Sequence, residues 1–421
     1  MCDRSIDRRL FVKAGGLALV SLGIDPIFLT RAAYAGRRPR SGGRGKTLVC
    51  VFQRGAVDGL SMIVPHGESR YYEERPRIAV ARPGRANGAL DLDGHFGFHP
   101  ALAPLHPLYR SGGLAVVHAV GSPDATRSHF DAQDYMETGT PGRKSTRDGW
   151  LNRHMAHARD HRDTPFRGVA IGPRMPRALR GAAPALAIDD LRAFGLHGRP
   201  GARDRLTAAF EEMYAGATTG LLATSSEEAF EAVRMLRAAD PARRSPAHGA
   251  EYPASPFGRA MRQIASLIAS DLGVEIAFAD VGGWDTHVNQ GAADGQLAAR
   301  LNDLALTLAA FARDLGDGMA DVTVLTMSEF GRTIAENGNG GTDHGHGTAM
   351  LVLGGATRGG RVYGRWPTLE VAQRFEGRDL AVTTDFRDLF SEVLVKHLGG
   401  TDPSAVFPGY VADRRRWLGL L

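Results

Sequence analysis

One stretch, Val322–Gly347, constrains the fold and the chemistry of this chain more than any other. Its first six residues, Val322–Met327, are apolar and β-branched enough to form a buried strand of a parallel sheet. A polar turn, Ser328–Arg332, follows directly. Ligands bind at the carboxyl ends of strands in open α/β sheets. The stretch therefore predicts a site at this edge of an α/β fold, with Glu329 as a candidate metal ligand.

The glycine-rich loop Thr342–Gly347 carries two histidines and a carboxylate. Its glycines let the backbone turn tightly, so that Asp343, His344 and His346 can converge on one point, as a transition-metal site requires. The alternative is a polar surface loop whose histidines contact only water. Two histidines and one aspartate so close together favour the metal.

Two further predicted strands end in candidate ligands. Thr47–Phe52 leads to Asp58, which fits either a plain Asp-Gly turn or a metal-binding carboxylate. Val274–Ala279 leads through a Gly-Gly turn to Asp285 and His287. We expect these side chains to lie at the same edge of the sheet.

A third predicted strand, Leu114–Val120, precedes a predicted helix at Ser128–Glu137. A hydroxyl at the start of a helix lies among free amide donors at the positive end of the helix dipole, which favours an anion or an activated oxyanion. Ser128 is therefore a candidate nucleophile. The alternative is a plain N-cap, the commoner use of serine at this position.

Strands and amphipathic helices alternate along the chain, which predicts a doubly wound, mostly parallel sheet. One predicted helix repeats apolar residues with a 3.6-residue period, at Leu297, Leu301, Leu304, Leu308, Phe311 and Leu315. Residues 160–256 have a looser pattern and are predicted to be a mainly helical insertion or cap. This segment contains a predicted edge strand at Pro184–Ile188 and predicted helices at Ala202–Tyr214 and Ser226–Ala239.

The N-terminus predicts an export signal. Asp7–Lys13 resembles the twin-arginine pattern, the apolar run Ala14–Leu29 follows it, and Ala33–Ala35 is a small-residue cleavage site. The run is too short and interrupted for a stable membrane span. The alternative is an amphipathic first helix of the fold. We predict a signal peptide at 1–35, a basic linker at 36–46, one domain at 47–421, and a periplasmic or secreted protein exported by the twin-arginine machinery. Cleavage would leave Cys50 as a lone, buried core residue.

Net charge excludes a nucleic-acid partner. The chain has 421 residues and a formal charge of +5. Ten of its 51 basic residues and three of its 46 acidic ones lie in residues 1–46, which leaves 41 against 43 for the rest. The body of the protein is close to neutral, so it lacks the basic surface that nucleic-acid binding requires.

Six ordered segments carry a resemblance to a known family. They are QRGAVDGLSM, RSHFDAQDYME, GGWDTH, SEFGRT, TDHGHG and VTTDFRDLF. Together, behind a twin-arginine signal, they resemble the bacterial family catalogued as domain of unknown function 1501. That family is placed in the alkaline phosphatase and sulfatase superfamily, and the resemblance implies an α/β/α sandwich and a site, usually with two metals, that hydrolyses phosphate or sulfate esters. Asp58 then matches a metal carboxylate, and Ser128 resembles the nucleophile.

The resemblance also implies which residues would bind one metal. Asp285 and His287 resemble its paired ligands, and His344 or His346 resembles its late histidine. Phe330 stands where the superfamily commonly has a histidine, so a second metal would need another ligand, from His129 or from the remaining loop histidine.

These observations lead to two hypotheses. The first is an exported metal-dependent hydrolase of a small-molecule or polymer-borne phosphate or sulfate ester, with one or two zinc, manganese or iron ions. His129 and Arg332 are its candidate substrate-binding residues, and Arg127 is a further candidate for the anionic group; solvated loop charges are the alternative for the arginines. The second hypothesis is a non-catalytic periplasmic binding or assembly protein that retains the fold and a structural metal.

Overall fold

The computed structural model describes residues 45–158, 164–192 and 231–421. The predicted signal peptide and nearly all of the predicted linker lie outside the described residues, as do the predicted helix Ala202–Tyr214 and the start of the predicted helix Ser226–Ala239. Residues 231–239 are helical. Within the described ranges, no helix combines the length and the apolar character needed to cross a membrane.

The described residues form strands and helices in alternation. The strands are β1 (Thr47–Arg54), β2 (Ile63–Val64), β3 (Leu90–Asp91), β4 (Gly97–Phe98), β5 (Leu114–Gly121), β6 (Gly168–Ile171), β7 (Leu186–Ile188), β8 (Ile276–Gly282), β9 (Val322–Met327), β10 (Thr348–Gly354), β11 (Val362–Tyr363) and β12 (Thr384–Asp385). The α-helices are α1 (Gly59–Met62), α2 (Ser69–Glu74), α3 (His106–Arg110), α4 (His129–Thr138), α5 (Trp150–His157), α6 (Pro256–Ala269), α7 (Gln296–Leu315), α8 (Phe386–Val393) and α9 (Pro403–Val406).

The main sheet has the strand order β11-β5-β10-β9-β1-β8-β6-β7, and β12 also pairs with β5. β1 pairs in parallel with β9 and β8, and the parallel pairing continues through β6 to β7. β10 alone among these strands is antiparallel to its neighbours, β9 and β5. The predicted mostly parallel sheet is therefore confirmed, with one strand reversed.

The reversed direction of β10 decides where the histidine-rich loop lies. A strand that runs against its neighbours begins at the edge of the sheet where they end. Thr348, the first residue of β10, accordingly pairs with Val120 near the end of β5. The loop at residues 342–347 thus reaches the edge where β1, β5, β8 and β9 end.

The sheet is buried on both faces, as its near-continuous apolar strands require. Along β1, Val49 and Val51 belong to one core, whereas Leu48, Cys50 and Phe52 belong to the other. Helices α6 and α7 cover the first face, and α5 and α8 cover the second. The apolar stripe of α7 is buried from Leu297 to Phe311, with Leu315 partly buried, and the packing makes an α/β/α sandwich. Burial also raises the pKa of the Cys50 thiol, in keeping with a core role.

Two strands within residues 160–256 belong to the main sheet. Strand β7 lies at the sheet edge, within the predicted edge strand Pro184–Ile188, whereas β6 beside it was not predicted. β6 has only four residues, Gly168–Ile171, which is too short for periodicity to separate it from a loop. A small antiparallel sheet, ordered β2-β4-β3, is a second element that the sequence pattern did not predict.

Candidate metal centre

The loops at the carboxyl edge of the main sheet bring together the side chains of the candidate site. His129 is the first residue of α4, and Asp285 and His287 lie in the loop after β8. Glu329 lies in the turn after β9, and His344 lies in the loop before β10. Strand direction therefore gathers residues that are more than two hundred positions apart in sequence.

The imidazole rings of His129, His287 and His344 meet at their Nε2 atoms. His344 Nε2 lies 2.9 Å from His129 Nε2 and 3.0 Å from His287 Nε2. Asp285 Oδ1 lies 3.0 Å from His287 Nε2 and 3.3 Å from His344 Nε2. Three nitrogen atoms and a carboxylate oxygen thus border one small space, and we call these four residues the histidine cluster.

Each histidine of the cluster uses its Nδ1 for a hydrogen bond on the side away from this space. The three pairs are His129 Nδ1 with Glu329 Oε1 at 2.8 Å, His287 Nδ1 with Asp343 Oδ1 at 3.0 Å, and His344 Nδ1 with the carbonyl oxygen of Arg127 at 2.9 Å. These acceptors assign the proton of each neutral ring to Nδ1, which leaves the lone pair at Nε2. Metal-binding histidines in proteins are held in the same way.

The donor set fits a divalent transition-metal ion. Bare lone pairs this close repel one another unless a cation lies between them, and imidazole with carboxylate suits zinc, manganese or iron. Ligands of one tetrahedral zinc ion lie roughly 3.3 Å apart, given the usual metal–nitrogen distances. His129, Asp285 and His344 form a group whose ligand atoms all lie within 4.8 Å of one another, and no second such group occurs within the described ranges. His287 is not a member of this group and contacts it through His344 and Asp285.

Neighbouring groups shift the pKa values of the cluster residues in different directions. The hydrogen bond to Glu329 raises the pKa of His129, whereas burial and the neighbouring His129 lower the pKa of His344. Burial alone would raise the pKa of Asp285, but the Arg332 guanidinium holds it below its usual value. Asp285 is therefore present as a carboxylate at neutral pH and can bind a cation.

Arg332 connects the loops of the site. Its side chain is 1% exposed, and it makes an ion pair with Asp285. Its other acceptors are the backbone carbonyls of Ala56 (2.8 Å), Gly55 (2.9 Å), Thr342 (3.0 Å) and Trp284 (3.1 Å), and its Nη1 also lies 3.4 Å from His287 Nε2. Its donors are occupied within the protein, so the structure gives Arg332 a positioning role, in which it joins the loops after β1 and β8 to the histidine-rich loop.

Glu329 lies behind His129, on the side away from the shared Nε2 space. Its Oε1 accepts hydrogen bonds from His129, from Gln133 Nε2 at 2.9 Å and from the Gly55 amide at 2.8 Å. Burial alone would raise the pKa of Glu329, but these donors lower it. The structure therefore places this predicted ligand in an orienting position, where it holds the His129 ring.

Phe330 forms an apolar wall of the histidine cluster. Its ring centroid lies 5.0 Å from that of His129 and 5.2 Å from that of His344, and the side chain is 2% exposed. The Phe330 ring packs against both imidazole rings and fixes their planes. Phe330 cannot bind a metal, and at this position it has a packing role.

Asp58 does not reach the cluster. Its Oδ2 accepts from Arg75 Nη1 and from Gln290 Nε2, each at 2.7 Å, and its Oδ1 accepts from Arg75 Nη2 at 3.1 Å. Both side chains of the ion pair are at most 1% exposed. The carboxylate is neutralised and enclosed, so the structure does not bring this predicted ligand together with the cluster.

The histidine-rich loop supplies one residue to the cluster rather than three. Asp343 lies behind His287 and accepts from its Nδ1, so it orients a ligand. His346 is buried and stacks on Phe375 with ring centroids 4.1 Å apart. His346 therefore lies outside the cluster, although it is only two residues from His344.

Ser128 lies one residue before His129 at the start of α4. It occupies the N-cap position, but its side chain makes no capping hydrogen bond, and the residue is exposed. The hydroxyl is therefore available to a bound molecule, which favours the predicted nucleophile or anion anchor over the plain N-cap.

The sequence predicted His129 as a substrate-binding residue or as a ligand of a second metal, and it did not identify Gln133. The spacing of the two residues could have indicated Gln133, because it follows His129 by four residues and residues four apart share one face of a helix. On α4 both side chains reach Glu329 from that face. Arg127, a further candidate for the anion, pairs through its side chain with Asp379 and Glu376.

The fold and the site define an α/β/α sandwich protein with a histidine–carboxylate cluster at the carboxyl edge of its sheet. The family model described as protein of unknown function (DUF1501) matches residues 45–417. The chain belongs to this family, and the predicted resemblance is confirmed.

Solved structures and curated sequences give more distant comparisons. The chain is similar to the C-terminal periplasmic domain of EcEptC from Escherichia coli, in complex with Zn, at 11% identity and a TM-score of 0.41, with 91% of each chain covered. It is also similar to the phosphonate monoester hydrolase of Agrobacterium radiobacter, at 10% identity and a TM-score of 0.32, over 87% of this chain and 78% of the other. No curated protein matches the chain.

Proposed function

We propose that this protein is a metal-dependent hydrolase of a phosphate or sulfate ester. One observation carries the proposal: His129, His287 and His344 each hold Nδ1 in a hydrogen bond and present Nε2 to one space shared with Asp285. The exposed hydroxyl of Ser128 lies one residue from this cluster. The site thus combines a cation-binding cluster with a nucleophile.

The cluster favours one ion of zinc, manganese or iron. His129, His287, His344 and Asp285 would bind it, and Glu329, Asp343 and the Arg127 carbonyl would orient the histidines. The side chains of Asp285 and His287 are 46% and 37% exposed, so this side of the site is open to solvent. A catalytic site needs such an open position, whereas a structural one is closed.

The chain's own residues would bind and orient the ester. A bound ion would supply Lewis-acid polarisation of an ester oxygen. The first amides of α4 have no intrahelical partner and favour an anion at the start of this helix. The Ser128 hydroxyl at the same point would attack the phosphorus or sulfur atom and break its bond to the alcohol, which leaves with the proton that the serine loses; water would then hydrolyse the serine ester and release the anion. Alternatively, the hydroxyl would anchor the anionic group by donating a hydrogen bond.

Export is a further part of the proposal. The twin-arginine pattern, the apolar run and the small-residue cleavage site support transport to the periplasm or beyond, and folded passage would allow a metal to be loaded first. Arg8→Lys together with Arg9→Lys is expected to retain the protein inside the cell, measured by fractionation with the tagged mature chain as the reporter.

The coordination number supports a second candidate, a non-catalytic binding or assembly protein with a structural metal. Three imidazoles and one carboxylate are enough to complete the tetrahedral shell of zinc, and a closed shell leaves no position for a substrate. Manganese and iron accept more ligands and would keep positions open. The two candidates therefore differ in whether the bound ion exchanges a water molecule.

The test combines coordination with turnover. Protein loaded with zinc, manganese or iron is assayed on aryl phosphate and aryl sulfate esters, and Mn²⁺ relaxation reports exchangeable water. We expect exchangeable water and turnover, with Ser128→Ala reducing turnover at least about 1000-fold at unchanged metal content. Ser111→Ala, an exposed serine at the opposite end of β5, is the matched control. A water-free shell and no turnover with any metal would move the conclusion to the structural candidate.

A further inference from the structure

Among the described residues, Phe130 is the large apolar residue with the highest solvent exposure. Its side chain is 91% exposed, against 82% for Val411 and 54% for Val371. A phenylalanine ring gains stability by leaving water, so its position here contributes nothing to the core. Its place in the fold gives it another use.

Phe130 lies at the rim of the proposed catalytic site. It follows His129 directly and is two residues from Ser128 in α4. Successive helix residues point about 100° apart. His129 points into the cluster, and Asp131 points away to Lys144, with which it forms a 2.8 Å ion pair. The Phe130 ring therefore projects between these two directions, into solvent beside the cluster.

The position of the anionic group limits what part of a substrate can reach this ring. If the anion lies at Ser128 and the first amides of α4, the esterified alcohol must extend outward past the rim. Phe130 offers it a flat apolar face, which recognises an aromatic group by stacking and offers nothing to a short alkyl or charged group. Val288, 49% exposed and next to His287, adds a second apolar side chain near the cluster.

We propose that Phe130 determines specificity for esters whose alcohol portion carries an aromatic ring. The inference rests on the proposed function, because it assumes an anionic ester bound at the cluster. Phe130 does not take part in the reaction itself, and it acts by stacking on the group next to the ester bond.

Binding of stable analogues to the zinc-loaded mature chain tests this inference separately from turnover. Phenylphosphonate and methylphosphonate share the anionic group and differ in the ring. We expect the wild-type protein to bind phenylphosphonate roughly three- to tenfold more tightly, and Phe130→Ala to reduce this preference to less than about twofold. Phe130→Trp should retain it. Val411→Ala, at another highly exposed apolar residue on a different segment, should leave both affinities unchanged.

The outcomes separate the two proposals. If the wild-type protein binds both analogues equally, or if Phe130→Ala keeps the preference, the specificity role is overturned while the anion site stands. If neither analogue binds, both the specificity role and the proposed function fail. If Phe130→Ala changes the oligomeric state measured by light scattering and the preference persists, the ring is an interface residue instead.

Discussion

His129 can present Nε2 to an ion only while another group holds its Nδ1 proton. Glu329 does this at 2.8 Å, and its Oε1 accepts two further hydrogen bonds that fix the carboxylate itself. Ionised carboxylates accept stronger hydrogen bonds than neutral groups. The charge of Glu329 therefore contributes to metal affinity without any contact with the ion.

Glu329→Gln tests this orienting role. The amide keeps the shape of the side chain but loses the charge, so we expect metal affinity to fall about 10- to 100-fold. Competition with a chelator of known affinity gives the value. Glu392→Gln is the control, because Glu392 is also buried and accepts from the Leu418 and Gly419 amides far from the cluster. Equal affinity in Glu329→Gln and wild type would contradict the orienting role.

The loop before β10 depends on close backbone contacts that only glycine allows. A Cβ atom on Gly345 would overlap the carbonyl group of Arg332, and Arg332 in turn bonds Asp285. Gly338, in the same loop region, has open space around it and a negative φ. The position of His344 is thus set by the packing of its neighbours on the turn after β9.

Gly345→Ala is therefore expected to displace His344 and to weaken metal binding at least about tenfold, as loss of a supporting contact does. Gly338→Ala should bind metal like the wild type. Isothermal titration with zinc on both variants, each checked for folding by circular dichroism, makes the comparison. The same loss in both variants would show that general loop disturbance, rather than the Arg332 contact, matters.

The start of β8 carries a buried charge network that predicts how stability varies with pH. Glu275 accepts from His154 at 3.0 Å and from Arg167 Nε at 2.5 Å. Burial alone would raise the pKa of Glu275, but these two partners lower it to about 2, from an ordinary value of 4.5. The stabilisation is therefore present above about pH 4.5 and is lost as pH falls through about 2.

Unfolding of metal-free protein in denaturant, measured between pH 2 and pH 6, tests the network. At pH 6 we expect Glu275→Gln to lower the free energy of unfolding by about 3 kcal/mol, and the difference from wild type should shrink toward acid. The exposed Glu73→Gln should follow the wild type throughout. A constant difference at every pH would contradict the assigned ionisation.

Strand positions could be predicted from the sequence because buried parallel strands are short apolar runs with sharp polar ends. Val322–Met327 coincides with β9, and Leu114–Val120 coincides with all but the last residue of β5. The direction of β10 could not be predicted, since an antiparallel strand has the same composition as a parallel one. β6 was not predicted, because a run of four apolar residues is too short for its periodicity to distinguish a strand from a loop.

The site as a whole depends on this topology. His129, the Asp285–His287 segment and His344 lie on three separate segments that meet only when β5, β8 and the reversed β10 are paired. A polar residue at a strand end can face the shared space or can lie behind it. The sequence pattern does not distinguish these two cases, because both put polar residues at the same edge. It therefore predicted Asp58 and His346 as ligands together with Asp285 and His344, although the structure places Asp58 and His346 outside the cluster.

The buried partners explain these differences. Asp58 is enclosed because Arg75, seventeen residues further along the chain, folds back onto it. His346 packs on Phe375, a residue from a segment with no recognisable motif. Neither contact has a local sequence signature, because each depends on where a distant loop crosses the sheet edge.

Metal content of the purified protein and of two histidine variants tests the central claim most directly. Elemental analysis of protein exported through its own signal should find one equivalent of zinc, manganese or iron. His344→Ala should lose the ion, whereas His346→Ala, a histidine of the same loop that lies outside the cluster, should keep it. A metal-free wild type, or equal loss in both variants, would contradict a metal centre built from His129, His287, His344 and Asp285.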